Sequence, residues 1–304
     1  MSEDAFRLSE PGIYTGIDAA AYHADPAPEP SLTQSIAKIL LERSPRHAQV
    51  AHPRLNPDYE PDDDAKYDIG NIAHCLLLGR GKAFDVVDYS DWRTKAAQET
   101  RKLAAAAGKI AVLEKDHTRA SAMAMAALHQ LIERGFEFDW APGAADAEAV
   151  VAWSENDIWL RCMIDWLSAD RRKVWDLKTT SASAAPHQIA GKMENDGWTI
   201  QAAMHERGLN AVHPESAGRR EHLFICQETQ PPFALTIVRL PESALQLGRR
   251  RLNVAIGLWS DCIRRNEWPA YPSAVVVPHV PEWSESRWLN REIEEFAHLI
   301  GRPA

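Results

Sequence analysis

The sequence has little cysteine, no excess of positive charge and no long apolar run, and each shortage removes a class of protein. Four cysteines, Cys75, Cys162, Cys226 and Cys262, are scattered through 304 residues and form no C-x-x-C pair. That spacing argues against a zinc ribbon or an iron–sulfur cluster and leaves reduced, buried thiols of a cytoplasmic protein as the expectation. Acidic residues outnumber basic ones, 43 to 34, for a formal net charge of -9. A chain with that balance does not gather nucleic acid by bulk attraction, so any such partner must be met by local basic patches or bound metal. No apolar stretch approaches the roughly 20 residues of a membrane span. The opening MSEDAFRLSEPG is acidic and lacks an apolar h-region, so neither a signal peptide nor a membrane partner is expected. There is no internal repeat and no long low-complexity tract.

What is present is an ordinary globular share of apolar residues, 45%, with 11 tryptophans. SLTQSIAKILLERSP carries a Ser/Thr cap, helical apolar spacing and a proline stop. HPRLNPDYEPDDDAKYD, residues 52–68, reads as an exposed loop. IGNIAHCLLLGRG reads as a short apolar helix, and two alanine-rich helices separated by Gly108 follow, so residues 1–145 are expected to be mainly helical and packed on a core. Near residue 146 the pattern changes. AEAVVAW and IWLRCMIDWLS flank the turn SENDI as a hairpin, and VWDLKTT forms a third strand after ADRRK. A helix over PHQIAGKMENDGWTIQAAMHERGL, two strands around TQPP and a long amphipathic helix complete a block at 146–270. The order implies an α/β (α+β) fold, a central mixed sheet flanked by helices. Residues 271–304 form a C-terminal extension, where Trp288, Leu289, Ile293 and Phe296 suggest an amphipathic helix for subunit contact.

One strand carries charges where a core is expected. Asp176 and Lys178 alternate with Trp175 and Leu177, so they share a face. Asp165 is similarly embedded in CMIDWL on the preceding strand. Neighbouring strands joined by a short turn bring the two carboxylates to one end of the sheet, where they share a proton or a divalent cation. Oxygen ligands of this kind suit Mg²⁺ or Mn²⁺, and a lysine two positions away can orient or deprotonate the attacking water, or stabilise phosphate charge. Taken alone, D-x-K is equally a surface ion pair. The set is what argues for chemistry: an aspartate on the strand before, Glu148 on the strand before that, and Gln201 on the following helix.

Together RCMIDWL…VWDLKTT, WTIQAAMHERG, GNIAHCLLLG, DWRTKAAQETRKLAAAAGK and FICQETQPPF resemble the PD-(D/E)xK nuclease superfamily. Within it they resemble the RecE-like exodeoxyribonuclease VIII branch of RecB-like nucleases, from about Pro11 to about Tyr271. The resemblance implies a restriction-endonuclease-like core and the following roles. Asp165 and Asp176 would hold catalytic metal, Asp176 standing where many relatives have Glu, with the carbonyl of Leu177 completing the first site. Lys178 would hold the attacking water. Glu148 would serve a second metal or its water, with Asp146 as the competitor, and His74 would lie near that metal. Gln201 would contact the DNA backbone or support the site. His205 stands where tyrosine is usual and could meet a phosphate. Arg93 and Lys95 would contact DNA. Each has a plainer alternative: His74 a core histidine, Glu148 a strand-edge charge, Gln201 a buried polar contact. The basic groups Arg171 to Lys173, Arg219, Arg220, Arg249 to Arg251, Arg264 and Arg265 could touch phosphates or merely face solvent.

The activity implied is a Mg²⁺-dependent exonuclease acting on double-stranded DNA ends, 5′ to 3′, leaving 3′ single strands. The resemblance also implies a ring-like homo-oligomer and a single-strand annealing protein as partner. The alternatives are another nuclease of the same fold, Cas4-like or restriction-type, and a non-catalytic DNA-binding assembly protein. The scattered cysteines count against the Cas4-like version.

Overall fold

A computed structural model describes residues 6–60, 69–141 and 143–300. Contacts divide the chain into two units, Met1–Ala270 and Tyr271–Ala304. The larger unit opens with β1 (Gly12–Tyr14), α1 (Ala19–His23), β2 (Ser31–Leu32), α2 (Gln34–Glu42) and α3 (Pro45–Ala51). Next come α4 (Ile69–Leu78), β3 (Phe84–Val87), α5 (Lys95–Ala106), β4 (Ile110–Leu113) and α6 (Glu114–Glu133). The strand block is β5 (Ala145–Glu155), β6 (Ile158–Ser168) and β7 (Lys173–Thr180). It continues through α7 (Pro186–Asn195), α8 (Trp198–Val212), β8 (Glu221–Glu228), β9 (Leu235–Arg239) and α9 (Glu242–Arg265).

Local chemistry sets many of these boundaries. Thr33 and Ser44 cap α2 and α3 by accepting the amides of Ile36 and His47, each at 3.4 Å. The β5–β6 hairpin turns on Asn156 and Asp157, both at positive φ (49° and 61°), the backbone twist that two-residue hairpin loops favour. Helix 186–209, expected as one piece, is two. Gly197, at φ 75°, occupies the left-handed region and redirects the chain between α7 and α8. The N-terminal part is also less purely helical than expected: β1 and β2 join the main sheet, and β3 pairs in parallel with β4. The exposed loop expected over 52–68 is anchored at its start. His52 is fully buried, its Nε2 lying 3.2 Å from the Ser31 carbonyl oxygen, while residues 61–68 lie outside the described residues.

Among the described residues the main sheet has seven strands in the order β1-β5-β6-β7-β8-β9, with β2 paired to β6. It is mixed: β7–β8 and β2–β6 are parallel, and the other pairs antiparallel. One apolar core gathers Leu160, Cys162, Ile164 and Val174 with Leu40, Met204 and Trp259 from α2, α8 and α9. Another gathers Trp166, Trp175 and Leu177 with Leu78 and Leu131 from α4 and α6. Helices thus cover both faces, as a sheet apolar on both sides requires. α8 and α9 approach backbone to backbone, since a Cβ at Gly248 would overlap the carbonyl of Thr199.

Strand β6 forks away from β7. The two pair only at Trp166↔Trp175 and Leu167↔Val174. Toward its start, β6 pairs instead with β2 at Trp159 and Leu160. The next positions along the β6–β7 register are Asp165 and Asp176.

In the smaller unit, α10 (Glu282–Glu295) and α11 (Ala297–Ile300) follow a stretch without regular secondary structure. α10 buries none of its residues; Trp283, Trp288, Leu289 and Ile293 are all exposed.

Candidate active site

Three acids stand at one level of the sheet, on β5, β6 and β7. The β5–β6 ladder is continuous from Ala145↔Ser168 to Glu155↔Ile158 except at one place, Glu148 opposite Asp165. Glu148 has φ 51°, a conformation that costs a non-glycine residue on the order of 1–3 kcal/mol and concentrates at functional sites. The strand changes facing there. Ala145 and Ala147 pack with the core under α4 and α6, whereas Ala149, Val151 and Trp153 pack with the core under α8 and α9. On β6 the same exchange occurs between Ile164 and Trp166, across Asp165.

The two layers of helices each send one side chain to this row. From α4, His74 Nε2 lies 3.3 Å from Asp165 Oδ2. From α8, the Gln201 amide donates to Asp176 Oδ2. Because β6 and β7 have parted, the Leu177 N–H is free of that ladder and donates to Asp165 Oδ2 at 2.8 Å. Lys178 Nζ lies 2.6 Å from Asp176 Oδ1. That oxygen is nevertheless buried without a hydrogen bond, so the ammonium is close but not aligned to donate to it. Asp176 is only 3% exposed.

The electrostatics follow from this crowding. Burial pushes Asp176 up, and the neighbouring Asp165 charge adds to it against the pull of Lys178, to about 6. Asp165 moves the other way: burial is opposed by His74, Lys178 and the Leu177 amide, and they win, holding it below the usual carboxylate range. His74 gains in return. Burial disfavours its charge, but the Asp165 charge and hydrogen bond lift the imidazole to about 10. Lys178 is likewise raised, the two aspartates outweighing burial. Glu148 is raised chiefly by burial, with His74 and Arg80 pulling against it. The result is two acids of opposite tendency beside a fixed ammonium, a pattern of catalytic sites.

Among the described residues, no three His, Cys, Asp or Glu side chains stand close enough together to hold an ion. Lys178 and His74 occupy the flanks of the two aspartates instead. The donor set still fits a hard divalent cation. Two carboxylates from adjacent strands meet, and the buried Oδ1 of Asp176 is an acceptor with no donor.

Other expected contacts fall elsewhere. His205 is 1% exposed inside the core, its imidazole pushed down to about 3 by burial and the nearby His222, so it offers no surface to DNA. Asp146 is taken up by Arg171. Arg93 is exposed but clasped by Asp91 at 2.8 Å, and Lys95 is exposed at the start of α5. Most of the basic groups read as phosphate contacts are spent on partners: Lys173 on Asp139, Arg249 on Glu206 and Glu242, Arg251 on Glu194, Arg264 on Asp261. One charge near the row was missed from sequence, Arg80; its only signal was a basic residue between two glycines just after the His74 helix. No helix among the described residues is long and apolar enough to cross a membrane.

The fold has relatives. The crystal structure of a protein from Eubacterium rectale, provisionally named an exonuclease, matches with a TM-score of 0.54 at 9% identity, covering 84% of this chain and 92% of that one. A phage-related exonuclease from Haemophilus somnus 129PT matches with a TM-score of 0.29 at 11% identity, over 64% of this chain and 95% of its own. No curated protein matches the sequence. The first likeness, at so low an identity, speaks to the fold alone. A family model described as a PDDEXK-like domain of unknown function (DUF3799) matches residues 35–275, a span that includes every residue of the acidic row. Family and fold together support a hydrolytic nuclease. The chain belongs to this PDDEXK-like family.

Proposed function

We propose that the protein is a metal-dependent DNA exonuclease that hydrolyses phosphodiester bonds from the ends of linear duplexes. The observation that carries this reading is the row Glu148, Asp165, Asp176 at the fork of the sheet, with Lys178 seated on Asp176. Asp165, Asp176 and the Leu177 carbonyl would hold Mg²⁺, with Mn²⁺ able to replace it, and Glu148 and His74 would flank a second ion. Metal bound there supplies Lewis-acid stabilisation of charge on the reacting phosphate.

The chain's own groups do the rest. Lys178 is held protonated, so it acts as a hydrogen-bond donor that positions the attacking water and stabilises phosphate charge, not as a base. Gln201 fixes the rotamer of Asp176. His74, kept charged by Asp165, presents a second donor at the mouth of the fork. The preference for ends, the 5′-to-3′ direction, the 3′ single-stranded product, the ring-like oligomer and the annealing partner are supported by the RecE-like resemblance. The provisional name of the Eubacterium rectale protein agrees with exonuclease action.

End-labelled linear duplex and closed circular DNA, each with Mg²⁺ or EDTA, test the reading. Loss of linear DNA in Mg²⁺ alone is expected, and Lys178→Ala should reduce the rate by about 10³-fold or more with the fold intact. Cleavage of circles would replace an exonuclease with an endonuclease. Inactivity on every DNA despite measurable Mn²⁺ binding would favour an assembly protein on the same fold.

A further inference from the structure

One charge beside the acidic row has no task in the chemistry above. Arg80 is exposed and follows α4, the helix that carries His74. It is near enough to Glu148 to favour that residue's ionised form. Yet among the described residues it forms no ion pair or hydrogen bond. This sets it apart from Arg161, Arg171, Arg249 and Arg251, each of which clasps a carboxylate. A guanidinium beside a carboxylate ordinarily settles on it.

The turn that carries Arg80 is tightly built. Arg80 lies between Gly79 at φ 64° and Gly81 at φ 124°. A Cβ at Gly81 would overlap the Cys75 sulfur, one residue from His74, so the turn packs closely on α4 beside that histidine. Arg80 is thus mounted on the same rigid element as His74, facing outward. The chain carries a net charge of -9, so attraction for a phosphate at the mouth of the site must come from such a local cation.

We infer that Arg80 binds a backbone phosphate of the strand being cut, next to the one that is hydrolysed, and so sets the register of the substrate over the acidic row. The inference rests on the nuclease reading above. Its chemistry is charge-assisted, bidentate contact with a phosphodiester, which specifies no base.

The test uses the full chain with Arg80→Ala and Arg80→Lys. DNA binding is measured by anisotropy on a fluorescent duplex in Ca²⁺ over a series of salt concentrations; turnover is measured in Mg²⁺, and Mn²⁺ binding by calorimetry. Arg80→Ala should weaken duplex binding about tenfold and lower the slope of log Kd against log salt by about 0.9. Its activity loss should fall on KM more than on kcat. Arg80→Lys should recover part of the affinity and the full salt slope. Mn²⁺ affinity should stay as in the wild type. Unchanged Kd and salt slope in Arg80→Ala overturn the inference, as does a collapse of kcat with altered Mn²⁺ binding, which would make Arg80 a partner of Glu148. A wild type that binds DNA without cutting it removes the nuclease reading and the register role with it, while the anisotropy still decides whether Arg80 holds a phosphate. A wild type that binds no DNA removes both.

Discussion

Strand β6 carries two buried acidic clusters four residues apart, and they are built on opposite plans. At Arg161 the partner is Asp25, fully buried, with φ 61°. Both of its oxygens are served: Oδ1 by Arg161 at 2.6 Å and the Ser31 hydroxyl at 2.7 Å, Oδ2 by the Ser31 amide at 3.0 Å. His52 lies 3.3 Å from Oδ2, and the Arg161 guanidinium also rests over the Tyr22 ring. At Asp165 one carboxylate oxygen of the neighbouring Asp176 is left without a hydrogen bond, although an ammonium lies close to it. Each cluster includes an acid in a left-handed backbone conformation, Asp25 in one and Glu148 in the other. Burial and strain are therefore shared features, and completeness separates them. A cluster that satisfies itself pins the N-terminal segment to the sheet. A cluster left wanting an electrophile is arranged for something that arrives later.

Removing each acid should show the contrast most strongly. Asp25→Ala leaves Arg161 buried and unpaired, a loss of about 3–5 kcal/mol and a fall in Tm on the order of 10 °C. Asp176→Asn keeps the acceptor for Gln201 and relieves a crowded charge, so stability in EDTA should change by no more than about 1 kcal/mol or rise, while activity disappears. Denaturant melts of both variants check this, and an equally unstable Asp176→Asn would erase the distinction.

Acidity should separate the clusters next. The pKa of Asp25 is lowered, since His52, Arg161 and Ser31 together outweigh burial. Its contribution is complete above the unfolded value near 4 and is lost as pH falls through the folded one. Asp176, raised to about 6, binds more protons folded than unfolded between roughly 4 and 6. The contribution of Asp176 to stability should therefore decline with rising pH across that interval. Melts in EDTA should show the wild type losing stability relative to Asp176→Asn between roughly pH 4 and 6, a difference in which the opposite slope of the buried His205 and His222 cancels.

The smallest effect belongs to His205. Its Nε2 and both nitrogens of His222 are buried without hydrogen bonds. His205→Phe should alter stability by less than about 1.5 kcal/mol and leave affinity for DNA untouched. A tenfold loss of binding would restore the phosphate contact that burial denies it.

Much of the catalytic side was legible in sequence because strand alternation is local: charge among apolar neighbours marked Asp165, Asp176 and Lys178 directly. Glu148 against Asp146 was not decidable by alternation, because β5 changes facing at Glu148 itself. The Asp25 cluster was invisible, since its ion pair joins residues 136 positions apart. The short strands β1 to β4 escaped for a related reason: two to four residues are too few to display a period, and their existence depends on partners far along the chain. Gly197 lies inside a stretch whose apolar spacing reads as one helix, and the left-handed turn it makes leaves no mark in that spacing.

The seam between α8 and α9 has an evolutionary corollary. Where Gly248 meets the Thr199 carbonyl there is no room for a methyl group, and Thr199 precedes Gln201 by two positions. A substitution at 248 would lever the helix away from its neighbour and carry the glutamine off its aspartate. Sterile variants should therefore turn up at a position that touches neither nucleotide nor ion.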